Sequence, residues 1–134
     1  YIPKLIYLDC GNNENFTDEV LKYVPNLKIL ICSDNELTSL PEMPEIQILK
    51  CSSNQLTNLP EKPQIKKLYC NYNKLTSLPK MPHIYQLYCD YNKFRYQKIF
   101  NQDITEKNYS KYLTIQNTMD SIRYAFNPLI SSYF

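Results

Sequence analysis

Glycine occurs once in the 134 residues, tryptophan is absent, and the one histidine is His83. Each scarcity removes a class of function. There is no glycine-rich loop to cradle a phosphate, no H-E-x-x-H metal helix and no G-x-S-x-G nucleophile turn. A single histidine leaves the commonest general base almost out of reach. The adjacent carboxylates Asp18 and Glu19 fit the electrostatics of a helix start better than paired acid–base work. No apolar run approaches the roughly 18 residues of a membrane span, and no signal peptide is visible. The residues therefore predict no enzyme, no cofactor, no bound metal and no membrane segment. The chain begins with Tyr1 rather than Met, which leaves room for residues upstream.

What the sequence has is a period. From Leu27 to Phe94 the text L-x-x-L-x-C-x-x-N-x-L-T-x-L-P-x-x-P recurs every 19 residues. The cysteines fall at Cys32, Cys51, Cys70 and Cys89, and the asparagines at Asn35, Asn54, Asn73 and Asn92. Self-similarity at a fixed period of this length is the signature of a repeat architecture. A unit this short cannot enclose a core, because ordering each residue costs on the order of 1–2 kcal/mol. Stacked units succeed, since each covers its neighbour's apolar face.

The spacing predicts which residues face inward. In the copy beginning at Ile65 they are Ile65, Leu68, Cys70, Leu75 and Leu78. Leu68 and Cys70 are two apart, so they share one face of a strand, and Lys67, Tyr69 and Asn71 share the other. The asparagines end the strands and are expected to bond backbone groups of their own repeat and the next. Thr38, Thr57 and Thr76 form a second polar column. The Leu-Pro-x-x-Pro segment returns in an extended, polyproline-like path, which excludes a long helix there.

These residues resemble the leucine-rich repeat, in particular its short Leu-Pro-x-x-Pro variant found in bacterial effector proteins and in repeat proteins of giant amoeba viruses. The resemblance covers about residues 1–94. It implies a leucine-rich repeat solenoid, of the α/β class by convention but mostly strand and coil here. Its parallel sheet forms the concave face and its proline-containing path the convex side. It also implies a protein-interaction module that binds through the concave sheet. The bacterial effectors include ubiquitin ligases, so a second reading is the recognition arm of such an enzyme, with the catalytic domain outside this chain.

Taken in order, residues 5–26 are a first, longer repeat, with Leu5, Leu8, Cys10 and Asn13 on the motif and three extra residues after Asn13. Thr17 to Val24 reads as a capped helical turn, with Val20, Leu21 and Val24 on one face. Clean copies begin at Leu27, Ile46 and Ile65. A fifth begins at Ile84 and breaks off after Phe94. Residues 95–134 are different. Asp103-x-x-Glu106 resembles a capping box. Beyond it Tyr109, Tyr112, Leu113, Met119, Ile122 and Phe126 form one helical stripe, stopped by Asn127-Pro128. This segment is expected to cover the last repeat, with a partner-binding helix as the alternative.

Five cysteines share one motif position. They are either metal ligands, disulfide partners or a buried column. The column is favoured, because the repeat sets their spacing and no histidine accompanies them. An odd count without paired spacing also argues against a secreted disulfide scaffold, so an intracellular, cytoplasmic location is expected, in a host cytoplasm for a viral or effector protein. The sequons at Asn15 and Asn108 are then chance matches.

Charge is uneven. Residues 1–60 carry four Lys and eight Asp or Glu, net −4; residues 61–134 carry 11 Lys or Arg and five acids, net +6; the sum is +2. The second half can attract an acidic partner. The candidate partner-binding residues are Ile29, Ile31, Ile48, Lys50, Lys67, Tyr69, Tyr72, Gln86, Tyr88 and Tyr91. The isoleucines are apolar where the fold does not demand it, and the tyrosines combine rigid area with a hydroxyl. A protein partner is expected; single-stranded nucleic acid, which basic grooves with aromatics also suit, ranks behind it.

The column reading of the cysteines is open to thiol titration. The native chain should label slowly and the denatured chain fully. Rapid native labelling of several thiols would contradict it.

Overall fold

The computed structural model describes residue 2 and residues 4–126. The Asn127-Pro128 stop lies outside them. Five three-residue strands, β1 (Tyr7–Asp9), β2 (Ile29–Ile31), β3 (Ile48–Lys50), β4 (Lys67–Tyr69) and β5 (Gln86–Tyr88), form one parallel sheet in chain order. The architecture is a repeat solenoid with little helix. Every strand pairs in the same register, so Leu8, Leu30, Leu49, Leu68 and Leu87 stand in one line. Behind the sheet runs one core, and Ile65, Leu68, Cys70, Leu75 and Leu78 are all in it.

The turns after the strands rest on a left-handed residue in every repeat. Asn12, Asp34, Ser53, Tyr72 and Tyr91 have φ between 53° and 58°. The conformation aims the backbone N–H of the first four at a carbonyl of the next repeat, at 2.8–3.0 Å. Extended proline paths therefore do not by themselves account for the shortage of glycine. The turns need a positive φ, and non-glycine residues accept it at about 1–2 kcal/mol each. The one glycine, Gly11, is not at this position.

The asparagine that follows ties repeats together. Asn54 Nδ2 donates to Cys51 O at 3.1 Å and to Cys32 O at 3.0 Å, while its Oδ1 accepts from Leu37 N at 3.0 Å. Asn73 and Asn92 repeat the pattern. The bonds reach the preceding repeat rather than the next. In the longer first repeat the pattern changes: Asn35 Oδ1 accepts from Asn13 N at 2.9 Å.

The segment after Thr17 is a 3-10 helix, Asp18–Tyr23, with no side-chain cap bond. Leu21 and Val24 are buried and Val20 is exposed. The three-residue turn of a 3-10 helix puts Leu21 and Val24 on one face and carries Val20 off it. After Phe94 comes a short helix the sequence did not announce, α1 (Gln97–Phe100), which buries Phe100.

Helix α2 (Tyr109–Phe126) packs by its first half. Tyr112 meets Phe94 and Phe100 edge to face. Gln116 bonds both N and O of Leu78, at 3.1 and 3.0 Å, and Tyr109 OH accepts from Met81 N at 3.0 Å and donates to Pro79 O. Farther along, Ile122 and Phe126 are exposed, so the apolar stripe outruns its contact. The capping box does not form. Glu106 instead accepts from Leu87 N at 3.4 Å, and Asn108 Oδ1 takes the N–H of Thr105 at 2.8 Å. No helix among the described residues is long and apolar enough to cross a membrane.

Lys62 is the exception in the core. It occupies the position of Met43 and Met81 in the neighbouring repeats and is 0% exposed. A lysine is expected at the surface; here the repeat position overrides its polarity. Its methylenes fill the methionine column, and Nζ donates to Pro41 O at 3.4 Å. Burial lowers the amine from 10.5 to about 8, opposed by nearby Cys51, Glu42 and Cys32. In the unfolded chain the amine stays protonated up to its ordinary pKa. Between about pH 8 and 10.5 this amine holds more protons in the unfolded chain, so its own contribution favours the fold as pH rises, while the buried thiols, whose pKa values are raised, contribute in the opposite direction. Lys62→Met should stabilise the protein at pH 7 by about 2–4 kcal/mol. That advantage over wild type should shrink as pH rises from 8 to 10.5. Denaturant titrations at several pH values measure it, and a pH-independent difference contradicts the assignment.

Candidate partner-binding face

Alternation in three-residue strands divides the labour. The central leucine faces the core, and the flanking residues face out. The shared register then lines the outward residues into columns across the sheet. One column is Tyr7, Ile29, Ile48, Lys67 and Gln86; the next is Asp9, Ile31, Lys50, Tyr69 and Tyr88. Eight of these ten belong with the candidates named from sequence, and the fold brings them onto one open face.

Composition changes along this face. Ile29, Ile31 and Ile48 are half-buried and form an apolar end. Lys50 and Lys67 lie in the middle, diagonal to one another. Tyr69 and Tyr88 form the other end and stack, with ring centroids 5.0 Å apart and planes at 25°. Gln86 Nε2 donates to Tyr88 OH at 3.3 Å. Lys50 Nζ lies 5.1 Å from the Tyr69 ring centre, and Lys67 Nζ 5.7 Å from that of Tyr85. Neither lysine has a carboxylate within ion-pair distance among the described residues.

Tyr72 and Tyr91 lie elsewhere. They are the left-handed turn residues after β4 and β5, so they border the sheet rather than extend its columns. Their rings stack on each other at 4.4 Å with planes 5° apart. Four tyrosines thus make two stacked pairs, one on the sheet and one at its rim. Tyr91 is 71% exposed. The lysine–ring contact was missed from sequence, although Lys50 and Tyr69 are one period apart and so sit in adjacent strands. Stacking was foreseen only as proximity, because ring orientation has no signature in the spacing.

The thiols face the other way. Cys32, Cys51, Cys70 and Cys89 are buried and Cys10 is half-buried; all five are free. Burial pushes Cys51 and Cys89 up to about 12 and Cys10 to about 11. Cys32 and Cys70 are also raised, by burial first and then by neighbouring thiols. A thiol so shifted stays protonated at neutral pH and is a poor nucleophile. No group of three or more His, Cys, Asp or Glu among the described residues is placed to hold a metal ion. His83 lies exposed on the return segment.

Compared with known proteins, the chain matches no protein-family model and no curated protein.

The rim pair carries a conflict that substitution can expose. Tyr72 bears the left-handed backbone cost but gains its stack. Tyr72→Ala loses the stack and keeps the cost; Tyr72→Gly loses both. The glycine variant should therefore be more stable than the alanine variant by about 1 kcal/mol. Equal midpoints in urea would contradict the left-handed assignment.

Proposed function

We propose that this chain is a leucine-rich repeat module that binds a protein partner across the open face of its sheet, and that it is not itself catalytic. One observation carries the reading. Five strands hold ten outward side chains in fixed columns, and the apolar and aromatic ones among them keep exposed surface on the open face. Isoleucine in an exposed column does not help the solenoid form. The area left exposed beyond its cross-strand contacts contributes only when something covers it.

Rigidity supports the same reading. Every strand is held by a core leucine and by the asparagine bonds behind it, so the face is formed before a partner arrives. A preformed face loses little conformational entropy on binding. Stacked tyrosines add broad area with few rotatable bonds, and each hydroxyl can still donate to a polar group of a partner. The buried, protonated thiols and the exposed His83 are consistent with a recognition role, and the resemblance of the repeat text to leucine-rich repeats points the same way.

The test is affinity capture from cell extract with wild type, the double variant Tyr69→Ala/Tyr88→Ala, and Lys80→Ala as a control on the exposed return segment. The double variant should keep the wild-type circular dichroism and weaken partner affinity by roughly 2 kcal/mol or more. Lys80→Ala should change nothing. If the folded double variant retains every partner, the open face is not the binding surface.

A further inference from the structure

We infer that the partner segment recognised by this face is an acidic peptide: aspartate or glutamate side chains flanked by an aliphatic residue on one side and an aromatic residue or proline on the other. The inference rests on the binding face just described and adds the chemistry of its ligand.

The argument starts from the two lysines. Lys50 and Lys67 stand at the middle of the open face, on neighbouring strands and adjoining columns. Both are half-buried. Each ammonium rests over a tyrosine ring, at 5.1 and 5.7 Å, and neither reaches a carboxylate among the described residues. A ring satisfies an ammonium less fully than an anion does. The acids nearest in the columns are at the margins. Asp9 lies two strands from Lys50 and accepts from Gly11 N at 3.1 Å, and Asp90 follows the last strand. The centre of the face is thus positive, with no carboxylate of the described residues beside either ammonium.

The surroundings choose among anions. On one side of the lysines lie three isoleucines, and on the other the Tyr69–Tyr88 stack. Isoleucines offer nothing to a phosphate or a ribose. A nucleic acid would leave that half of the face unused, and two lysines neutralise few phosphates. A peptide uses all three zones: an aliphatic side chain on the isoleucines, carboxylates on the lysines, and a ring or a proline on the tyrosines. The dimensions agree. The four strands β2 to β5 span about 14 Å, which an extended peptide crosses in roughly four to five residues.

The experiment pans a displayed library of random twelve-residue peptides on the full chain and reads the enriched sequences. Their affinities are then measured by fluorescence polarisation with labelled synthetic copies. Three variants accompany wild type: Lys50→Glu/Lys67→Glu, the milder Lys50→Gln/Lys67→Gln, and Tyr69→Ala/Tyr88→Ala. Circular dichroism checks that each is folded, and the glutamine pair serves if the glutamate pair is not. A labelled fifteen-nucleotide oligo-dT is measured in parallel.

Enrichment of Asp and Glu beside aliphatic and aromatic residues is expected. Affinity should fall at least about tenfold in the charge-reversed pair and fall as salt rises. The glutamine pair should lie between. The inference is overturned if Asp and Glu are not enriched, or if the lysine variants bind the enriched peptides as wild type does. If affinity then still collapses in the tyrosine variant, the binding face stands and only its ligand chemistry is wrong. If neither set of variants matters, both readings fail. Oligo-dT binding that outcompetes the peptides and depends on the same lysines overturns the inference in favour of nucleic acid.

Discussion

One side-chain amide holds each junction of this molecule. The asparagine after the strand donates twice, to a carbonyl of its own repeat and to one of the repeat before, and accepts a backbone N–H from that same earlier repeat. These groups lie where the chain leaves the sheet and turns, away from the ladder of strand bonds. Without the amide the backbone N–H would be left unpaired, at about 1–3 kcal/mol, and cysteine carbonyls such as those of Cys32 and Cys51, which two successive asparagines share, would keep one bond each. Leucine burial drives the stacking, but it is directionless. The amide sets the offset between repeats, and the straight columns on the open face follow from it. An aspartate at that position would lose both donations, which is why the residue type does not vary across Asn35, Asn54, Asn73 and Asn92.

How much of this was legible in sequence depends on what the repeat determines. The inward leucines, the cysteine column and the strand alternation could be read from period and spacing, because those features are copied in every unit. Legibility failed where the copying fails. In the first repeat the three extra residues turn the return path into a 3-10 helix, and Val20 lands outside. After Phe94 the motif stops, and neither the short helix over Gln97–Phe100 nor the role of Glu106 on Leu87 N had any local signature. Lys62 is the reverse case. Its position declared it buried, and its residue type misled. On the open face the members of the columns could be named from sequence, whereas the split of four tyrosines into two stacks could not. Tyr72 and Tyr91 occupy a left-handed turn that asparagine, aspartate and serine fill elsewhere, so nothing in composition marked them as turn residues.

Alternation also separates two kinds of constraint along the same strand. In Lys67-Leu68-Tyr69 the middle residue answers to the core and tolerates little change of volume. Its two neighbours lie on the open face, half-buried, where the core does not constrain their type. Chemistry accumulates at those neighbours: isoleucine in β2, lysine in β3 and β4, tyrosine in β4 and β5. Lys67, Tyr69 and Tyr88 come from the basic half of the chain and Lys50 from the acidic half, so the charge asymmetry of the sequence is only partly mirrored at the site.

The identical register of every junction bears on how such a chain can change over generations. A duplication or loss of one 19-residue unit leaves both new neighbours meeting through the same leucine line and the same amide. Misaligned recombination between copies that share the motif positions therefore yields foldable products, longer or shorter by one strand of recognition surface. A change of length is accommodated only on the return path, as in the first repeat, where three extra residues leave the strand register intact. Mutation within a unit can meanwhile rewrite two outward residues at a time. The lineage can thus adjust the length of its grip and the letters it reads by separate genetic events.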